Sequence, residues 1–300
     1  MAYKYIIYDK ADGIATITIN KPEKMNAISF IGPGEDWKEI CTALDDAAED
    51  DDIKVVIMKG SGRAFCVGHD MTKVGFVYGF GEGKTKDEKR PSQRVRLKMD
   101  DRMFSDFLNK IFLHPKLTIA QVHGHCLAGG MILMVQFDMA IVAEDARIGQ
   151  VEQRYGFAGH GFPTLPIMIH HVGLRRAREL VLTGRVISGK KAADIGLATL
   201  AVPPDELEKA TMDIARGLAL LPADGIAIGK AMNRMVYDNL GLTAGFGQGT
   251  VGHTFFTNLQ YKEGEWNFYR ERREKGAREA FHDKDELFGR MFEAFDKYDT

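Results

Sequence analysis

From the N-terminus to about residue 205, short apolar runs alternate with helical stripes, and this alternation constrains the fold more than any other feature of the chain. The opening segment "YKYIIYDKADGIATITINKP" holds two alternating runs about Asp12-Gly13, a hairpin signal with a glycine where the turn needs positive φ. Trp37, Ile40, Cys41, Leu44 and Ala48 recur at helical spacing and lead into the apolar run "KVVIM". Phe104, Phe107, Leu108, Ile111 and Phe112 form the next stripe, followed by "LTIAQV" and later by "DMAIVA". The pattern fails between Asp70 and Asp100, where glycines and mixed charge predict a loop. Strands alternating with helices predict an α/β core over 1–205. Beyond Pro203-Pro204 the strand signals stop, so 206–300 is expected to be a helical region. Its stripe Leu287, Phe288, Met291, Phe292 and Phe295 must pack on the core or on a second copy of the chain.

Several function classes are set aside by composition. With 300 residues, 45% hydrophobic and 27% charged, the chain is large enough for one sizeable core plus an appendage. The longest apolar stretch, Cys126 to Val135, is too short to span a bilayer, and no basic segment followed by an apolar one opens the chain, so neither membrane nor export is expected. Three cysteines without redox or metal spacing fit a reducing cytoplasm. A net charge of −2 gives no reason to expect nucleic acid, and the mixed run Lys84 to Lys98 reads as solvated surface. "YGFGEGKT" is not a phosphate loop, because the position five residues before Gly83 is Tyr78. The sequence contains no G-x-S-x-G and no H-E-x-x-H, and no metal is expected.

Two glycines carry the first chemical signal. In "HGHCLAGGMILMVQFDMA", Gly129 and Gly130 stand ahead of a run that is apolar until Asp138. Poor helix formers at a helix start have two readings: close packing of helix on sheet, or bare N–H groups at the positive end of the helix, open to an anion. In "GRAFCVGHDM" a strand ends, Gly68 makes a turn, and His69-Asp70 follow, offering a second free N–H. Two such amides would make an oxyanion hole.

The motifs taken together resemble the crotonase (enoyl-CoA hydratase/isomerase) superfamily over almost the whole chain. "NKPEKMNAIS" at 20–29 is similar to its N-terminal coenzyme A segment, "AFCVGHD" at 64–70 to the first oxyanion strand and "AGG" at 128–130 to the second. "ARIGQVEQRYG" at 146–156 is similar to the catalytic-carboxylate segment, and 182–207 to the signature that follows it. The resemblance implies a ββα spiral core, a C-terminal helical region that trimerises and covers the pocket, and trimers or dimers of trimers. It implies an acyl-CoA thioester substrate, with coenzyme A as part of the substrate and no separate cofactor. By the same resemblance the backbone N–H groups of His69 and Gly129 hold the thioester oxygen, Lys24, Ala27, Val67, Gly68 and Asp70 lie along coenzyme A, and Tyr155 and His160 line the acyl pocket. The His69 side chain either faces that pocket or fills space.

The family commonly uses two glutamates, and here Ile132 occupies the first position while Glu152 matches the second. An isoleucine can neither accept a proton nor orient water, so Glu152 is left as the sole acid/base. Isomerisation, hydration by one carboxylate, and hydratase-lyase cleavage of an aromatic or polar acyl group all stay open. A relative that binds RNA or has lost activity is the rival from another class, and a serine hydrolase on the related spiral lacks any serine beside either glycine motif.

Overall fold

The computed structural model describes residues 3–29, 36–70, 92–156, 163–255 and 261–298. The chain lays down β1 (Ile6–Ala11), β2 (Ile14–Ile19), β3 (Val55–Gly60), β4 (Ala64–Cys66), β5 (Leu117–Val122), β6 (His125–Leu127), β7 (Met139–Ala143), β8 (Arg147–Gly149), β9 (Ile187–Ser188) and β10 (Leu200–Val202). They form a six-stranded sheet in the order β1-β2-β3-β5-β7-β10 and a four-stranded sheet in the order β4-β6-β8-β9. Each of β3, β5 and β7 in the larger sheet is followed within a few residues by β4, β6 or β8 in the smaller one, so the chain winds through both sheets once per repeat. This is the mixed α/β architecture that the alternating pattern predicts.

The hairpin forms as expected. β1 and β2 pair antiparallel from Ile6–Ile19 to Ala11–Ile14, and both turn residues, Asp12 and Gly13, have positive φ. β2, β3, β5 and β7 then run parallel, and the runs "VVIM" of β3 and "AIVA" of β7 are buried throughout, as strands covered on both faces must be. The first helical stripe becomes helix Asp36–Glu49, burying Ile40, Cys41, Ala43, Leu44 and Ala47.

The second stripe corrects the sequence reading. Helix starts at Gln93, within the segment expected to be loop and surface, and runs through a π-helical stretch, Arg102–Leu108, to Phe112. Arg96 is only 1% exposed, although it read as solvent-facing in the sequence, and Asp100 is 7% exposed. Besides each other, both have His253, more than 150 residues away, as a polar partner. The loop expected over 71–91 lies outside the described residues.

In the C-terminal region helix Leu207–Ala219 packs on β3, β5 and β7, and helix Ala244–Thr254 packs on the Gln93–Asp101 helix. Helices Phe268–Lys275 and Ala277–Tyr298 pack on each other. The apolar stripe of the last helix rests on guanidinium planes: Arg154 lies 5.5 Å from the Phe288 ring and 5.4 Å from Phe292, and Arg185 lies 4.9 Å from Phe295. The three cysteines are buried free thiols, and no helix among the described residues is long and apolar enough to cross a membrane.

Candidate active site

The two glycine motifs meet. A methyl group placed on Gly129 would sit 3.0 Å from the Gly68 Cα and 3.7 Å from the His69 nitrogen, so the backbones of 68–69 and 129 are in direct contact. As the first residue of helix Gly129–Met134, Gly129 has no carbonyl within the helix to receive its N–H. The preceding Ala128 holds a strained φ of 52° and ψ of −124°. Gly130 has the other role that the sequence left open: a methyl there would lie 2.0 Å from the Cys66 carbonyl oxygen, so it serves close packing.

His69 and Gly129 line a small pocket together with Ile28, Phe104, Phe107 and Ile132. The His69 ring lies 6.4 Å from that of His253. Burial, then the neighbouring His253, push its pKa down to about 4 against the pull of Asp100, so the ring is neutral near pH 7. Ile132 is 5% exposed and presents hydrocarbon where a second carboxylate would stand.

Glu152 lies on the short 3₁₀ turn Val151–Tyr155 that follows β8, and β8 is tied to the Gly129 segment because the Ala128 N–H donates to the Gly149 carbonyl at 2.8 Å. It is not among the described residues that line that pocket. The residue is partly exposed, yet its Oε2 is shut off from solvent and has no hydrogen-bond partner among the described residues. Burial pushes its pKa up to about 7.

This shift makes a stability prediction. Between about pH 4.5 and 7 the folded chain keeps a proton on Glu152 that the unfolded chain has lost, so this group lowers stability as pH rises through that window. Glu152→Gln abolishes the slope. Urea midpoints measured at pH 5 and pH 8 are expected to move in the variant's favour at the higher pH, and parallel behaviour of the two proteins contradicts the buried carboxyl.

The residues assigned to coenzyme A form one edge. Ile28 and His69 make a parallel bridge, with the Ile28 N–H donating to the Gly68 carbonyl at 2.8 Å, and Lys24 Nζ pairs with Asp70 Oδ2 at 2.7 Å. Lys24 is well exposed while Asp70 is buried, so the lysine head lies at the rim. The Ala27 side chain is buried and its carbonyl accepts from Lys21 Nζ at 2.6 Å, which limits Ala27 to backbone contact. Val67 adjoins Gly68, which has a φ of +85°.

The Tyr155 hydroxyl accepts from Lys284 Nζ at 2.6 Å, and its ring packs edge-on against Phe268 at 4.8 Å and Phe281 at 6.1 Å. The aromatic cluster built by the last two helices draws it there, and burial brings the pKa of Lys284 down to about 8. His160 lies outside the described residues. Sequence reading also missed Arg96, Asp100 and His253, a buried polar group next to the pocket. His253 Nδ1 lies 2.8 Å from Asp100 Oδ1, Thr254 Oγ1 donates to Asp100 Oδ2 at 2.8 Å, and Arg96 donates to the His253 carbonyl at 3.1 Å.

Comparison with known proteins gives one direction. The sequence profile of the family described as Enoyl-CoA hydratase/isomerase matches residues 9–277. A Thermus thermophilus protein with the provisional name enoyl-CoA hydratase is 27% identical over 260 residues, covering 86% of this chain and 95% of its own. A crystal structure of an enoyl-CoA hydratase/isomerase from Xanthobacter autotrophicus Py2 superposes with a TM-score of 0.78 at 28% identity, covering 95% of this chain and 99% of the other. An enoyl-CoA hydratase from Mycobacterium smegmatis superposes with a TM-score of 0.76 at 30% identity, over 96% and 95%.

Proposed function

Since the chain belongs to the enoyl-CoA hydratase/isomerase family, we propose that it acts on an acyl-CoA thioester, with the His69 and Gly129 amides holding the thioester oxygen and Glu152 moving a proton. The observation that carries this reading is the contact of the 68–69 and 129 backbones at the edge of an apolar pocket. When a base removes an α or γ proton from a thioester, the electron pair spreads onto the carbonyl oxygen, and donors aimed at that oxygen stabilise the transition state more than the ground state. A buried carboxyl with a pKa near 7 can take that proton and return it.

Double-bond isomerisation is the reaction we assign. It needs one shuttling group, the proton leaving one carbon and returning to another, and Ile132 gives the site nothing with which to hold a second catalytic water. Coenzyme A enters as the handle of the substrate, with Lys24 at its phosphates and the 67–70 edge along its length. A homotrimer or dimer of trimers goes with this reading and is supported by helix Ala223–Asn239, where Ile228, Met232, Met235 and Val236 are 53–67% exposed. A reducing, cytoplasmic setting is supported by the free thiols.

The test is thermal. Free coenzyme A and an acyl-CoA are expected to raise Tm by mass action, since only the folded site binds them, with about 2.7 kcal/mol of stabilisation at 100 times Kd. Dephospho-coenzyme A is expected to give a smaller shift, and Lys24→Ala to shrink the difference between the two ligands. No shift with any thioester at millimolar concentration overturns the assignment.

A further inference from the structure

The last helix, Ala277–Tyr298, fastens the turn that carries Glu152 at two successive residues. Arg154 Nη2 donates to Asp285 Oδ1 at 2.7 Å, and its guanidinium lies over the Phe288 and Phe292 rings. Lys284 Nζ donates to the Tyr155 hydroxyl, stands 4.2 Å from the centre of that ring and 5.0 Å from that of Phe281, and lies 3.3 Å from Asp285 Oδ1. The Tyr155 carbonyl accepts from the Tyr261 hydroxyl at 3.2 Å, which closes the turn from a third segment. Glu152 itself is held differently. Its Oε2 is shut off from solvent with no hydrogen-bond partner among the described residues, so the carboxyl takes its place and its dryness from the packing of the turn.

We propose that Lys284 and Tyr155 are positioning residues for Glu152, the bond from ammonium to phenol locking the 151–155 turn against the last helix so that the Glu152 carboxyl stays in place and out of water. This rests on the reading of Glu152 as the proton-moving group given above. Contact of the Tyr155 ring with Phe268 and Phe281 is non-directional, whereas a charge-assisted hydrogen bond away from water fixes where the phenol oxygen stands. A carboxyl that exchanges a proton with carbon needs both conditions. Misplacement by about 1 Å can cost about 10²-fold in rate, and water that reaches the carboxyl restores its ordinary acidity. The charged and titratable groups about the turn are Arg147 of β8, Arg154 and Tyr155 of the turn itself, and Lys284 and Asp285 of the last helix. Burial brings Lys284 down only to about 8, so the ammonium, and with it the lock, persists through the range in which Glu152 titrates.

Lys284→Met keeps the length of the side chain without its charge, and Tyr155→Phe removes only the phenol oxygen. Each is expected to lower kcat about 10- to 10²-fold while free coenzyme A binds as in the native protein. The double variant should cost no more than the worse single one, since both act through one bond. The limb of kcat/KM that rises through about pH 7 is expected to move toward 4.5, the ordinary value of the carboxyl, which a general loss of packing elsewhere would not do. A second reading needs no activity: the fall in urea midpoint that Glu152 imposes between pH 5 and pH 7 should shrink in both variants, because its folded and unfolded acidities come closer. A pH limb and a midpoint slope that both stay native in Tyr155→Phe overturn the proposal, whatever happens to kcat and whether or not Lys284→Met folds. Full activity in Glu152→Gln removes instead the reading of Glu152 as the base, and the midpoint slope then still decides whether Lys284 and Tyr155 keep that carboxyl dry.

Discussion

Glu152→Gln is expected to lower kcat by about 10²–10⁴-fold, the usual worth of a positioned acid/base, while free coenzyme A binds as before. Glutamine keeps the shape of the side chain and cannot exchange a proton. With Glu152 as the proposed base, kcat/KM should rise with pH through about 7, the value to which burial has raised this group. The variant's residual rate should lack that limb. Solvent deuterium gives a second reading: an isomerase exchanges the α or γ hydrogens of the thioester, and Glu152→Gln should suppress exchange and turnover together. Full activity and exchange in the variant would remove Glu152 from the reaction, and oxygen from labelled water at the β carbon would identify hydration in place of isomerisation.

Gly68→Ala is expected to be nearly as damaging through a different route. A methyl at this position would lie 2.5 Å from the Gly129 nitrogen and 3.0 Å from the Ala128 Cβ, on a residue whose φ of +85° already excludes most side chains. The segments carrying the two donors would have to separate. Loss of one oxyanion donor typically costs about 10²–10³-fold in kcat, and the fall should appear in kcat far more than in the affinity for free coenzyme A. Near-native kcat in a folded Gly68→Ala protein would show that these amides are not the donors. Strain at a positive-φ position also predicts a lower Tm, so the comparison is made below the variant's melting point.

Both substitutions act on residues visible in the sequence, and the reason is that their signals are local. The hairpin at Asp12-Gly13, the buried strands of the larger sheet and the stripe Ile40–Leu44 follow from periodicity and from turn residues that must adopt positive φ. Gly68, Gly129 and Glu152 stand in short motifs with fixed spacing. Ile132 could be read as a missing carboxylate by counting along one helix. Other features were not legible: the bond between Tyr155 and Lys284, and the burial of Arg96 in a stretch that read as surface.

The sequence by itself determined the alternation of strand and helix, the hairpin and the two glycine turns, because each depends on neighbours a few residues apart. The tertiary structure alone decided that the backbones of 68–69 and 129 meet at one pocket. It also decided that Asp100 would bond His253 across 153 positions of chain. A charged residue on a helix reads as solvated unless its partner is known, and that partner is brought by the winding of the chain through two sheets and by the packing of helix Ala244–Thr254 on helix Gln93–Asp101.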